Sequence, residues 1–317
     1  MKKSLLFFLW LAMSLLFINS TSAQFRVVGY VAARGALPGD INLVDFSKIT
    51  HLNIAFINPD SAGNLVIPAQ FEVLVSKARE NKVKVLVSMG GGSHNPYYAR
   101  LLTDAYRPSL VQKLIQLATK HSLDGIDVDL EGEAIDSNYN SLIADLSTAL
   151  KPLNKLLTAA FASWNAAILP DDALEKFDFI NIMSYDQTGP WRPSQPGPHS
   201  TFAKAEEDIG YWLTTRGFPK HRINLGLPFY GHCFGTKYGE SMSFRDIISN
   251  FADAAQNDMV VPETGGAIYY NGIPTIKSKT ELVLKNTGGV MIWQLLQDAP
   301  GDKSLLKAIH QTINQAE

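Results

Sequence analysis

The sequence predicts an α/β protein folded as a single-domain (β/α)8 TIM barrel, and three observations predict it. Eight short β-branched or apolar runs are spread along the chain, amphipathic helical patterns alternate with them, and about 290 residues remain after a leader-like N-terminus, close to the usual size of such barrels. An open doubly wound sheet is the other architecture with this alternation. It is disfavoured because no G-x-G-x-x-G fingerprint follows the first run, and Val28-Gly29-Tyr30-Val31 lacks that spacing.

The N-terminus comes first in chain order. Met1-Lys2-Lys3 is a positive start, residues 4–18 are almost unbroken hydrocarbon, and Thr21-Ser22-Ala23 supplies small residues for cleavage. The apolar run is shorter than the roughly 20 residues of a spanning helix. A signal peptide over 1–23 is therefore expected, followed by a single barrel domain over 24–317 that is secreted or periplasmic, with no membrane association after cleavage. Removing the leader leaves 294 residues with a formal charge of −4.

The strand runs are 27–31, 51–56, 83–88, 125–130, 157–161, 179–183, 223–227 and 290–293. They are nearly continuous in apolar residues, as parallel strands are when helices cover one face and a packed interior the other. The clearest helical patterns are 71–81, 108–122, 139–150, 202–215 and 303–313. Between the seventh and eighth runs, Asn271-Gly272 separates 267–270 from 273–276, a spacing that predicts a tight hairpin.

Composition narrows the function. With 28 Lys+Arg, 30 Asp+Glu and a net charge of −2, no basic stripe is available to track phosphates, so a nucleic-acid partner is not expected. Cys233 is the only cysteine, which excludes an intrachain disulfide and a Cys-based zinc site. His51 and His232 lack H-x-x-x-H spacing and read as structural, so no metal is expected, and no cofactor motif is present. Cys233 has no basic neighbour in sequence and reads as unreactive.

The informative segment is 123–133, Leu-Asp-Gly-Ile-Asp-Val-Asp-Leu-Glu-Gly-Glu. Side chains on a strand alternate, so Asp127, Asp129 and Glu131 project together into the barrel while Ile126, Val128 and Leu130 face the helices. Crowding three carboxyls there raises at least one pKa, which suits a group that must donate a proton. A solvated edge strand is a poor alternative for a central run. An EF-hand is also poor, because its twelfth position is Asn138, and a magnesium or manganese site lacks a phosphate-cradling loop.

Asp124 to Glu131 resembles the complete D-x-x-D-x-D-x-E signature of the glycoside hydrolase family 18 chitinases. Ser88-Met89-Gly90-Gly91, Met183-Ser184-Tyr185-Asp186 and Gly289-Val290-Met291-Ile292-Trp293 resemble that family's motifs on the third, sixth and eighth strands. The resemblance implies a chitinase acting on N-acetylglucosamine polymers, expected to be a monomer. Glu131 would be the general acid, Asp129 would orient the substrate acetamide and share a proton with Asp127, and Tyr185 would hydrogen-bond the acetamide oxygen. Asp186 and Met183 would contact the sugar, Trp293 would floor it, and Asp124 would be structural. Catalysis would be retaining and substrate-assisted, with the acetamide as nucleophile.

Further contact candidates follow from position at the strand C-terminal ends, where such barrels place their sites: Tyr30, Phe56, Tyr230 and Trp191, with Trp164 as another stacking candidate. Trp212, at helical spacing from Ile209 and Arg216, reads as core. The stretch 230–280 is too short for the large α+β insertion of many family members, which implies a shallow groove and internal cuts. Two alternatives share the barrel: an endo-β-N-acetylglucosaminidase acting on N-glycan cores, and a non-catalytic sugar-binding lectin. Retention of Glu131 counts against the lectin.

Overall fold

The computed structural model of the chain describes residues 25–93 and 95–316. The expected signal peptide lies outside the described residues. Among the described residues no helix is long and apolar enough to cross a membrane.

Eight parallel strands close into a barrel: β1 (Arg26–Ala32), β2 (His51–Ala55), β3 (Lys84–Gly90), β4 (Gly125–Asp129), β5 (Leu156–Ala162), β6 (Phe179–Met183), β7 (Ile223–Pro228) and β12 (Gly289–Trp293). Each neighbours its successor, and β12 pairs with both β7 and β1. The eight apolar runs are these eight strands, with ends displaced by one or two residues.

The helices form where the apolar period changes from two to about 3.6. In Arg107–Lys120, Pro108 occupies the first turn, where its missing N–H is harmless, and Leu110, Val111, Leu114, Leu117 and Ala118 make the buried stripe. Phe71–Glu80, Tyr139–Leu150 and Leu305–Ala316 follow the same logic. Phe202–Gly210 runs on into a π turn over Tyr211–Thr215 that buries Trp212 completely, as its spacing predicts. Only a four-residue helix, Pro38–Ile41, and a 3-10 turn, Phe46–Lys48, join β1 to β2.

The core has two parts. The larger lies between barrel and helices and contains Ile126, Val128 and Leu130, the outward half of the acidic strand. The smaller fills the barrel with Val28, Tyr30, Ala55, Ala160, Phe179 and Met291. Among them sit the fully buried polar side chains of Asn53, Ser88, Asp127, Thr158, Asn181 and Asn224. Hydrogen bonds replace water for five of these, while both amide atoms of Asn53 lack a partner among the described residues.

After β7 the chain leaves the barrel to form a small antiparallel sheet of β8 (Tyr230–Phe234), β9 (Ser241–Ser243), β10 (Met259–Val260) and β11 (Ala267–Tyr269), with helix Phe244–Asn250 beside it. The expected hairpin at Asn271-Gly272 is not formed. Gly272 precedes helix Ile273–Asn286, whose first turn contains Pro274 and whose buried face carries Ile276, Thr280 and Val283. Asn271 is buried, donating to the Ser200 carbonyl and accepting from Lys279, so it ends β11 instead of turning a hairpin. Residues 267–269 pair with β8.

Candidate functional site

Strand β4 delivers the acidic residues to the C-terminal mouth of the barrel. Its outer anchor is Asp124, whose carboxylate accepts from the backbone N–H of Val85 at 2.8 Å, a structural contact. Asp127 is fully buried and accepts from three hydroxyls: Tyr30 at 2.7 Å, Ser88 at 2.7 Å and Thr158 at 2.5 Å. Burial raises the Asp127 pKa, against the lowering effect of those donors.

Asp129, two residues on, is 3% exposed and its Oδ1 has no hydrogen-bond partner among the described residues. Burial, then the charges of Glu131 and Asp127, hold its pKa well above the ordinary carboxylate value. Glu131 lies just beyond the strand in extended conformation, and burial together with the charge of Asp186 pushes it up to about 7. Three carboxyls in sequence thus have three environments: one surrounded by donors, one dry and proton-holding, and one at the mouth and protonated near neutrality.

Strand β6 supplies the second group. Met183 is partly buried, and Tyr185, close to all the acids, turns its hydroxyl towards the sulfur of Met291 at 3.8 Å. Asp186 then adopts φ +60, a left-handed conformation that aspartate tolerates better than most residues. One oxygen, Oδ1, accepts from Tyr230 at 2.5 Å and lies 2.8 Å from His232 Nε2 and 3.2 Å from His199 Nδ1. Burial works to raise its pKa, but these three partners outweigh it and hold Asp186 ionised below the ordinary range.

Asp186, His199 and His232 offer ligand atoms within 4.8 Å of one another. Three donors already converge on one carboxylate oxygen, which is the geometry of an oriented anion. His232, which read as an isolated structural histidine, therefore belongs to the site. Alternation along β8 puts Tyr230 and His232 on one face, and this was legible from Tyr230-Gly231-His232 had a strand been assigned there. His199 comes from a loop with no pattern; the backbone of Gln187 donates to its carbonyl and returns the ring to Asp186.

The aromatic floor forms from distant strands. Trp293 ends β12 and stacks on Phe56 with centroids 5.5 Å apart and planes at 24°. Tyr30 lies under Trp293 at 5.8 Å, but it is 1% exposed and bonded to Asp127. Its expected place among the substrate contacts is corrected: it supports an acid from below. Trp191 is 56% exposed with its ring edge-on to His232 at 5.0 Å, and Trp164 is 69% exposed over a depression of about 370 Å³ that Glu131, Gly92 and Tyr98 also line. Cys233 is buried against the core, consistent with a filling role.

Ser88 and Thr158, which carry no signal of this role in sequence, wall Asp127, and Asn181 and Asn224 continue the polar interior behind Tyr30. Ser88 and Thr158 stand beside Asp127 in strand register, a relation that strand order supplies and sequence does not.

Comparison with known proteins gives a concordant result. The family model described as glycosyl hydrolases family 18 matches residues 26–298. The structure is similar to a GH18 chitinase, ChiB, from the chitin utilization locus of Flavobacterium johnsoniae, with 37% identity, a TM-score of 0.85, and 93% of this chain and 96% of that one covered. It is also similar to a chitinase from Bacteroides thetaiotaomicron, at 27% identity, TM-score 0.76, and 91% and 96% coverage. A chitinase-like effector of Moniliophthora roreri is 28% identical over 66% of this chain and 60% of its own length.

Proposed function

The chain belongs to glycosyl hydrolases family 18 and is a glycoside hydrolase of the chitinase type, and from that premise we propose that it cleaves β-1,4 bonds between N-acetylglucosamine units by retaining, substrate-assisted catalysis. The observation that carries the reading is the graded set of carboxyls on β4, ending in Glu131 with its pKa near 7 at the mouth of the cleft. A carboxyl that is protonated near neutrality can protonate the leaving glycosidic oxygen.

Asp129 then accepts the N–H of the substrate acetamide and fixes its angle of attack, and Tyr185 supplies a dipole to the acetamide oxygen. Closure to an oxazolinium ion places positive charge above Trp293, near ionised Asp186 and the buried acids of β4, where fixed groups act in a site partly closed to water. Glu131, now deprotonated, activates the water that opens the ring. Asp186 and Met183 contact the sugar, and exposed Trp191 and Trp164 extend the apolar platform along the chain.

The small sheet of β8 to β11 supports a shallow groove and internal cuts. Hexameric chito-oligosaccharide should yield mixed products; strict release of disaccharide from one end would contradict this. Export by the 1–23 leader is proposed on its n-region, apolar run and small-residue exit. The decisive experiment sets wild type beside Glu131→Gln on chitohexaose and on a high-mannose N-glycoprotein, with products read by mass spectrometry. Oligosaccharide cleavage lost in the variant is the expected result. Cleavage of the glycoprotein alone would move the activity to glycan release, and binding without turnover would make the protein a lectin.

A further inference from the structure

We propose that Arg26, at the base of the barrel, is a positioning residue for the reaction, setting the direction of a hydrogen-bond relay that ends on Asp127. The relay crosses the barrel interior through four strands. Arg26 Nε donates to Asn224 Oδ1 at 3.0 Å, Asn224 Nδ2 donates to Asn181 Oδ1 at 2.9 Å, Asn181 Nδ2 donates to the Tyr30 hydroxyl at 3.1 Å, and that hydroxyl donates to Asp127 Oδ2 at 2.7 Å.

Every donor points the same way, and the guanidinium fixes that sense. An amide can be turned over to exchange its donor and acceptor, and a phenol can donate in either direction, so a chain of Asn, Asn and Tyr has no inherent polarity. Arg has donors only. Asn224 must therefore present its oxygen to Arg26 and its nitrogen to Asn181, which in turn must present its nitrogen to Tyr30. With its lone pair engaged, Tyr30 spends its single proton on Asp127.

The far end is built to hold this charge. Nη2 of Arg26 donates to the His221 carbonyl at 2.5 Å, and its guanidinium lies 4.7 Å above the Phe179 ring. The titratable groups that share its cleft include His51, Lys84 and Asp178, and among the described residues no carboxylate lies within ion-pair distance of it. Two glycines leave room for it. A Cβ on Gly288 would lie 2.4 Å from Arg26 Nη2, and one on Gly289 would lie 2.6 Å from Asn224 Oδ1.

At the near end Asp127 is faced by Tyr30, Ser88 and Thr158 as donors, with Asp129 next to it and Tyr139 and Tyr185 within electrostatic range. Locking the Tyr30 proton onto Asp127 favours its ionised form, so the one proton of the acid pair stays on Asp129, where it faces the acetamide. Without Arg26 the two amides turn over, Tyr30 donates to Asn181, and Asp127 protonates more readily.

The inference rests on the reading of Asp127 and Asp129 as the pair that assists Glu131. The test is the pH dependence of kcat/KM on chitohexaose for wild type, Arg26→Met, Arg26→Lys and Asn224→Leu, with thermal midpoints alongside. Loss of the relay moves the acidic limb to higher pH, lowering kcat/KM by about threefold to tenfold near pH 5 and by less than about twofold at pH 7, tenfold being one unit of pKa. Arg26→Lys, which keeps a donor-only cation, restores the wild-type limb. Asn224→Leu cuts the relay midway and reproduces the shift, which keeps the test open if Arg26→Met does not fold. A pH-independent loss that follows the thermal midpoint, or an unmoved limb in both Arg26→Met and Asn224→Leu, overturns the proposal. A wild-type enzyme inactive on chitohexaose overturns the underlying reading instead.

Discussion

His232 Nε2 lies 2.8 Å from Asp186 Oδ1 across 46 residues of sequence, and Tyr230, two positions before that histidine, donates to the same oxygen at 2.5 Å. The small sheet after β7 is thus part of the site, since β8 carries two of the three groups that aim the Asp186 carboxylate. A hydrogen bond to a charged acceptor contributes about 1.5 to 3 kcal/mol. Tyr230→Phe should therefore lower kcat/KM on chitohexaose by about tenfold or more, converted at 1.4 kcal/mol per decade. Steady-state kinetics beside a urea titration would check this; unchanged kinetics would remove Asp186 from the sugar site.

Glu131 ties activity to stability through one proton. Its pKa is raised to about 7, by burial first and then by Asp186, so kcat/KM should fall along an alkaline limb centred near pH 7. The sign for stability follows from linkage. Unfolding lowers the pKa to an ordinary 4.5, so the folded state binds the extra proton between the two values and loses that advantage as pH rises through the folded pKa. Glu131→Gln, which cannot ionise, should accordingly melt above wild type at pH 8 and match it near pH 4.5. Equal melting points at both values would show that the carboxyl is not perturbed.

How much of this was legible before the fold was known differs by element. The barrel strands were legible because a strand covered by helices on one side and core on the other must be apolar along its length, and 125–130 announced its acids by strict alternation. The hairpin at 271–272 failed because Asn-Gly is a local signal, and Pro274 with Ile276, Thr280 and Val283 is a stronger helical one. The polar barrel interior was hidden for a different reason. Ser88 and Thr158, which donate to Asp127, and Asn181 and Asn224, which lead to it through Tyr30, are single polar residues on four strands, and only closure of the barrel brings them to one interior. Tyr30 showed its position at a strand but not its direction, and a fully buried ring cannot line a groove.

Trp191 and Trp164 are large apolar rings left 56% and 69% exposed, beside His232 and Glu131 respectively. Neither contributes much burial to the fold, so alanine there should shift the thermal midpoint little, as surface changes stay within about 0.5 kcal/mol. An aromatic contact contributes about 0.5 to 1.5 kcal/mol. Each substitution should raise KM for chitohexaose by about twofold to tenfold and leave kcat nearly unchanged, because a stacking platform holds ground state and transition state alike. A fall in kcat at constant KM would assign the ring to the reacting sugar.

Gly90 gives the sharpest test of how β3 supports the acids. It has φ +112, and a Cβ there would stand 2.1 Å from the carbonyl oxygen of Asp129. Its backbone is also clasped on both sides by Asn58, which donates to its carbonyl at 2.8 Å and accepts from its N–H at 2.7 Å, with Tyr98 bonded to the same amide at 2.6 Å. The strand cannot retreat without breaking that clasp, so Gly90→Ala must displace Asp129. Gly35 is the control, since its φ is +84 but nothing lies within 4 Å of a Cβ placed on it. Gly35→Ala should lose only the cost of left-handed backbone, about 1 to 2 kcal/mol, with kinetics intact. Gly90→Ala should lose about 3 kcal/mol or more and most of its activity at pH values where it remains folded. Urea midpoints read together with chitohexaose turnover separate the two, and equal losses in both variants would mean that β3 does not fix the position of Asp129.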